Sequence, residues 1–439
     1  MHLDTLAAPT DAGYSPADID PMAWSRGSEQ PGQDPDTIHL TVYPDMRHQT
    51  LAGLGGSFSE LGADALAALP AAERSRALGA LFADDGAAFS LCRMPIGASD
   101  FARDAYSLAE QADDWELDRF TAGRDEGGLM AFIRGAQAHR VDLRLHASPW
   151  SPPGWMKDSG RMVQGGRLRP ECYPVYASYF VRTVQAYAAA GIPIVRVLPQ
   201  NEPDVPTPYP SCVMLPDQMV PFVVEHLAPA IAAGCPGTAV WGGTFRMVGG
   251  LQGHECLRSA AFRTAVGGVG YQYSFCDTLA GLRVLHPGIR LMHTESVCHD
   301  GGNTWAQAAM LFEDIGNYLR AGCDTYTYWN MVLDQGGRST WGWRQNSLVT
   351  VDTAAGTWRE NPDLAVMRLF ARQCVPGAVR IEAFSFQRPA LAVQRPDGAI
   401  AVFVANHEAK PKPVKVHLGA RTWREVLPPR SFAVISLDP

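Results

Sequence analysis

The stretch Ile194-Val195-Arg196-Val197-Leu198-Pro199-Gln200-Asn201-Glu202-Pro203 runs from β-branched residues into an amide, a carboxylate and a proline. Its first half has the texture of a short buried strand. Its second half is unusual, because an apolar strand that ends in a carboxylate loses stability unless that group is paired or faces a cleft. The competing reading is a carboxylate that caps the next helix or pairs with an arginine. What lies on either side of this stretch decides between the two.

Further short apolar runs occur at 51–58, 89–96, 142–150, 238–245, 269–274, 289–296 and 324–331. Helical spacing fills the intervals, most clearly at 60–83, 174–190, 216–233 and 305–321. Pro70 predicts a break inside the first of these. The intervals at 245–268 and 276–288 carry weaker helical patterns. Alternating strands and helices imply a parallel sheet, and eight such units predict a (β/α)8 TIM barrel over residues 51–375. After residue 376 the pattern changes to alternating apolar and polar residues with turns such as Pro396-Asp397-Gly398, which predicts an antiparallel β-sandwich over 376–439. Residues 36–50 have the same alternation and are assigned to that sandwich as an N-terminal strand. Residues 1–35, rich in Pro, Asp, Gly and Ser, are expected to form an arm without regular structure.

Composition narrows the partners. The chain has 439 residues, 46% hydrophobic and 19% charged, with a net charge of -8. That balance and the lack of any Lys/Arg cluster argue against nucleic acid and anionic membrane surfaces. No apolar run reaches the roughly 20 residues of a membrane-spanning helix. The N-terminus has neither the basic nor the apolar region of a secretory leader. As written the chain reads as cytoplasmic, or as the mature form of a secreted or periplasmic protein. Nine scattered cysteines, an odd number with no C-x-x-C pair, are expected mostly as small buried hydrophobes. Gly53-x-Gly55 lacks the rest of a dinucleotide fingerprint. No P-loop, G-x-S-x-G or H-E-x-x-H sequence occurs, and His293 and His299, flanking Glu295, show no metal-ligand spacing. No metal or cofactor is expected.

In a TIM barrel the C-terminal ends of the strands form the active face. The polar and aromatic residues at those ends are then candidates as a group: Arg93, Asp100, His146, Trp150, Asn201, Glu202, Gln272, Tyr273, Glu295, Trp329 and Asn330. Glu202 and Glu295, on strands four and seven, would meet across the mouth. Glycoside hydrolysis uses such a pair, one carboxyl to protonate the leaving oxygen and one on the other side of the anomeric carbon. A gap near 5 Å gives retention and a wider one gives inversion. Tryptophans 150, 155, 329, 341 and 343 suit a sugar, whose C–H faces pack on aromatic rings. Asp100 could equally cap a turn, and single tryptophans are more often core.

The ordered set "GLGGSFSELGADAL", "SLCRMPIGASDF", "HASPWSPPGWMK", "PQNEP", "HTES" and "YWNMVLDQGG…NSLVTVD" resembles glycoside hydrolase family 30, the glucosylceramidase-like retaining β-glycosidases, over residues 36–439. The resemblance implies a barrel fused to a β-sandwich, no cofactor, and a carbohydrate substrate. It implies Glu202 as acid/base, Glu295 as nucleophile and Asn201 as the amide that holds the sugar 2-hydroxyl. It also implies Arg93, Asp100, Trp150, Trp329 and Tyr209 as sugar-subsite residues, beside Gln272, Tyr273, Trp341 and Trp343 from the strand-end reading. One departure stands out. Glucosylceramidases carry His-Trp-Tyr on strand six, where this chain has Tyr271-Gln272-Tyr273-Ser274. The expected substrate is therefore a β-glucoside or a β-1,6-linked gluco- or galacto-oligosaccharide, with a β-xyloside or β-fucoside as alternatives and a non-catalytic carbohydrate-binding barrel as the rival of another class.

Overall fold

Two strands precede the barrel in a computed structural model that describes residues 2–7, 36–246 and 250–438: β1 (His2–Ala7) and β2 (Ile38–Thr50). The barrel strands follow as β3 (Gly55–Ser57), β4 (Leu91–Ile96), β5 (Arg144–Pro149), β6 (Ile194–Val197), β7 (Ala239–Val240), β8 (Gly242–Phe245), β9 (Val269–Tyr271), β10 (Leu291–His293) and β11 (Thr327–Asn330). All pairs among them are parallel, as crossover helices require. β3 pairs β4, β4 pairs β5, β5 pairs β6, and β6 pairs β7. β7 and β8 form one barrel stave interrupted at Trp241, and β8 pairs β9, which pairs β10. A bridge between Leu291 and Cys323 and the pairing of β11 with β3 close the ring. The eight runs predicted from the sequence are all present, though shorter.

The helices form where apolar spacing and end signals agree. Helix Trp305–Ala321 buries Ala308, Leu311, Phe312, Ile315 and Leu319 along one stripe. Thr304 and Gln307 close a reciprocal capping box at its start, and Gly322 ends it with φ at 106°. Pro70 separates Glu60–Ala67 from Ala71–Phe82, the predicted break. Helices Gly123–Glu126 and Leu129–Gln137 fill the interval between β4 and β5, where the sequence reading picked out no helix bounds. The floor of the barrel is clamped by charge: Arg196 makes a two-pronged contact to Asp324 at 3.0 and 2.9 Å, and Arg290 adds a third at 2.6 Å. Trp241 lies against both guanidinium groups, 4.2 and 5.2 Å from its ring.

Past the barrel, β12 (Val332–Asp334), β13 (Val349–Asp352) and β14 (Thr357–Glu360) make a small sheet. Then come β15 (Val379–Phe384), β16 (Leu391–Gln394), β17 (Ile400–Asn406), β18 (Lys412–Leu418), β19 (Arg421–Leu427) and β20 (Ser431–Leu437). With β1 and β2 they form one eight-stranded sheet in the order β1-β20-β17-β16-β15-β2-β18-β19, folded over so that β19 approaches β20. Residues 2–7, expected to lie in an arm, instead form its edge strand, paired antiparallel with β20. The remainder of the expected arm, 8–35, lies outside the described residues. Alternation divides the faces. Ile400, Val402 and Val404 enter the sandwich core, while Ala401, Phe403 and Ala405 face the barrel. Phe403 stacks on Phe370 at 4.4 Å, and Phe432 on Phe312 at 4.9 Å.

All nine cysteines are unpaired thiols, eight of them buried. No described helix is long and apolar enough to cross a membrane. The Phe403–Phe370 stack predicts that Phe403→Ala will cost about 3–5 kcal/mol, read as a lowered unfolding midpoint, and will loosen the sandwich before the barrel in hydrogen exchange.

Candidate active site

The strand ends bring Glu202 and Glu295 to one cleft. The chain beyond β6 keeps pairing after the regular strand ends: Leu198 N donates to Ala147 O at 2.9 Å and Asn201 N to Pro149 O at 2.8 Å. On its other side Thr244 N donates to Gln200 O at 2.6 Å and Glu202 N to Thr244 O at 3.1 Å. Held from both flanks, Glu202 adopts a left-handed backbone with φ of 43°, uncommon for a residue with a side chain. Tyr273, beyond β9, does the same with φ of 49°. Such conformations persist only where the surroundings over-determine them.

Glu295 lies just past β10 and is 6% exposed. Arg93 Nη1 donates to its Oε2 at 2.5 Å and the Tyr273 hydroxyl to its Oε1 at 2.5 Å. Two donors and no acceptor suit a carboxylate rather than a carboxylic acid. Arg93 also donates through Nη2 to Ser148 Oγ at 2.8 Å and to Asn201 Oδ1 at 2.6 Å. Asn201 Oδ1 further accepts from Thr244 Oγ1 at 3.2 Å and Gln272 Nε2 at 3.4 Å. With its oxygen so occupied, the amide of Asn201 is fixed and its NH2 group is left for a ligand. Gln272 Nε2 also reaches Glu202 Oε1 at 3.3 Å.

The two acids have different surroundings. Burial, and then the negative charge of Glu295, push Glu202 up to about 7 from an ordinary 4.5, against the pull of Arg246. Asp100 is also pushed well up, by burial and then by Glu295, with Glu202 adding to it. Its Oδ1 is buried without a partner, as is Nε1 of Trp329.

Trp150 and Trp329 stack at 5.0 Å, with the Arg93 guanidinium 4.5 and 5.6 Å from their rings. Tyr209 forms an outer aromatic group with Trp343 at 5.0 Å and Trp341 at 6.5 Å. The sequence-predicted residues thus fall into layers. Glu202, Glu295, Asp100, Asn201 and Tyr273 meet at the centre, and Tyr209, Trp341 and Trp343 stand at the rim. Arg93 and Gln272 have no exposed surface, so the expectation that they contact a sugar is corrected: their polar atoms are spent on Glu295, Asn201, Thr294 and Glu202. His146 and His293 are fully buried, with burial holding both well below the ordinary imidazole value, and belong to the core. Among the described residues no group of three or more His, Cys, Asp or Glu could hold a metal.

Sequence reasoning missed Ser148, Thr244 and the Arg246–Asp204 pair, at 3.3 Å, beside Glu202. Ser148 sits inside the quoted "HASPW" run, so inward alternation along β5 could have found it. Thr244 carried no comparable signal.

Residues 51–241 match the Glycosyl hydrolase family 30 TIM-barrel domain. "Putative glucosylceramidase 1" of Caenorhabditis elegans is 26% identical over 401 residues, 84% of this chain and 76% of that protein. The "Endo-1,6-beta-D-glucanase" of Neurospora crassa is 29% identical over 374 residues, 81% and 76% of the two chains. Among solved structures "The endo-beta1,6-glucanase BT3312" superposes with a TM-score of 0.81 at 25% identity, covering 90% of this chain and 92% of that one.

The raised Glu202 gives a stability prediction. The folded chain binds this proton more tightly than the unfolded chain, so the associated stabilisation is complete below about pH 4.5 and is lost as pH rises through about 7. Glu202→Gln should match the parent near pH 4 and exceed it by on the order of 1–3 kcal/mol at pH 8, measured by urea unfolding at the two pH values.

Proposed function

From the match of residues 51–241 to the glycosyl hydrolase family 30 TIM-barrel domain we propose a retaining β-glycosidase acting on β-glucosides, with β-1,6-linked glucan as the extended substrate. The observation that carries the reading is the asymmetry of the acid pair: Glu295 faces a guanidinium and a phenol, while Glu202 is pushed up to about 7 beside it. Environments that drive two carboxyls apart assign one to attack and the other to proton transfer.

In the first step Glu295 Oε attacks the anomeric carbon from one face as the glycosidic C–O bond breaks on the other. Glu202 gives its proton to the departing oxygen. A covalent glycosyl-enzyme results, and the negative charge at Glu295 is consumed in the new bond. That removes the second-largest influence holding Glu202 protonated, so Glu202 becomes a base able to take a proton from water. Water attacks the anomeric carbon, releasing Glu295 and a sugar of retained configuration. Arg93 keeps Glu295 on its trajectory throughout, and the Asn201 NH2 group faces the sugar 2-hydroxyl. The carboxyl of Asp100, 6% exposed as a residue, takes a further hydroxyl.

The glucan preference is supported from two directions. The Neurospora crassa relative is named an endo-1,6-beta-D-glucanase, and Tyr271-Gln272-Tyr273-Ser274 departs from the glucosylceramidase pattern. The Tyr209, Trp341 and Trp343 rim offers aromatic faces to a sugar beyond the cleaved bond.

Glu295→Gly should lose at least about 10⁴-fold in activity on a nitrophenyl β-glucoside, with azide restoring turnover as the α-glucosyl azide, because azide enters from the face that Glu295 vacates. A normal rate from that variant would reject the assignment. The proton-transfer role has its own signature. kcat/KM of the parent should fall above about pH 7, and Glu202→Ala should lose that limb while retaining activated aryl leaving groups. Product configuration, followed by NMR during hydrolysis of gentiobiose, should be β at first appearance; an α product would require inversion.

A further inference from the structure

The run "HASPWSPPGWMK" ends on a residue that no step above uses. Lys157 follows the tight turn Gly154–Met156 and is only 2% exposed. Its ammonium donates to Ser151 Oγ at 3.1 Å, Met162 O at 3.2 Å and Ser211 O at 2.6 Å. Three donors meet three acceptors on three separate chain segments, which saturates the group. None of these acceptors is a carboxylate. Asp158, adjacent in sequence, turns its Oδ1 to the backbone N–H of Arg167, and Arg167 turns to Asp217 and Gln218. The remaining titratable neighbour, the Cys212 thiol, is pushed by burial up to about 11. Burial pushes Lys157 itself down to about 8. A buried cation balanced by dipoles alone is a poor stabiliser, so its place at this junction calls for another account.

The loops that it joins supply one. Val163 bridges Pro210, Gln164 N donates to Thr207 O at 2.8 Å, and Ser211 N to Met162 O at 2.9 Å. The loop beyond β5 is thereby laced to the loop that leaves Glu202. Tyr209 stands at the tip of that second loop, between Thr207 and Ser211. Its phenol is pushed up by burial and then by the charges of Glu202, Asp100 and Glu295, so the ring lies within electrostatic reach of the acids. Its other side packs on Trp343.

We propose that Lys157 is a positioning residue, whose grip on the Ser211 and Met162 carbonyls holds Tyr209 closed over the leaving-group side of the cleft. This rests on the reading of Glu202 as the group that protonates the leaving oxygen. An amine that loses its proton keeps two of three donors, so the staple weakens as pH rises past about 8.

A double-mutant cycle tests it. On gentiobiose, Lys157→Met and Tyr209→Ala should each lower kcat/KM by roughly tenfold or more, and the double variant should be no worse than Tyr209→Ala alone. On a dinitrophenyl β-glucoside, whose leaving group needs little help, Lys157→Met should leave kcat within about twofold. Multiplicative losses in the double variant, or full activity of Lys157→Met on gentiobiose, would overturn the proposal. Hydrogen exchange of the unmutated chain is the second arm and needs no variant to fold. Protection of the 207–213 amides, corrected for intrinsic rates, should drop between pH 7 and 9 while the β5 and β6 amides hold. Constant protection in that loop, or a uniform drop across the barrel, would also overturn it. If the unmutated chain hydrolyses no β-glycoside, the glycosidase reading fails, and exchange alone then decides the staple.

Discussion

A guanidinium without exposed surface, that of Arg93, ties the two sides of the cleft together. One nitrogen holds Glu295 from β10 and the next holds Asn201 beyond β6, with Ser148 of β5 between them. Removing a charged group from water is expensive, and a lone buried arginine would shift or drag in solvent. Here a carboxylate, an amide oxygen and a hydroxyl complete its shell, and the faces of Trp150 and Trp329 cover it. The proposed nucleophile and the amide beside the proposed acid are therefore set by the same planar fork. Their spacing follows from one rigid group, not from two independent loops.

Backbone strain complements that fork. Glu202 and Tyr273 are both left-handed, and both sit directly after the pairings that extend the barrel strands. Ordinary extended continuation would keep each side chain on the alternating pattern of the strand. The reversed φ breaks that alternation where the Glu202 carboxyl meets Gln272 and the Tyr273 phenol meets Glu295. Pro203 follows Glu202 and its carbonyl accepts from Met214 N at 2.9 Å, so the chain is caught again immediately past the strained residue. This answers what the proline does after Asn-Glu: it stiffens the exit from a conformation that the strand alone would not keep.

Legibility from the sequence followed the range of the physics involved. Strand runs and amphipathic helices are local signals, so β4 to β11 and the helix at 305–321 could be read, and Pro70 marked its own break. The bounds of the helices at 123–137 were missed because Gly123, Gly127 and Gly128 interrupt the periodicity, and tertiary packing overrides that propensity. β1 pairs with β20 across nearly the whole chain, a contact that no local pattern encodes. Within the site, the acids and aromatics were legible because strand ends in a barrel converge by construction. Layering was not. Whether Arg93 touches a sugar or sits beneath the residue that does depends on the depth of β4 relative to β10, which only coordinates give. Thr244 and Lys157 were invisible for a related reason, since a threonine and a lysine are ordinary on a surface and notable only when buried.

The charge of the cleft bears on what can enter it. Asp100, Glu202 and Glu295 share one small space with the buried cation Arg93, and the charge of Glu295 raises the cost of ionising both Asp100 and Glu202. An anionic ligand would add to that repulsion in a site with little water to screen it. A neutral polyhydroxyl ligand adds no charge to the site, and its hydroxyls can donate to the carboxyl oxygens that face the cleft. Hydrogen bonds to charged acceptors are about twice as strong as neutral ones, so the Glu295 carboxylate attracts a sugar, while the protonated acids beside it add no further negative charge. The same crowding keeps the proton on Glu202 until the charge on Glu295 is spent. Binding and proton transfer thus draw on one electrostatic feature, and altering any of the three acids would disturb both.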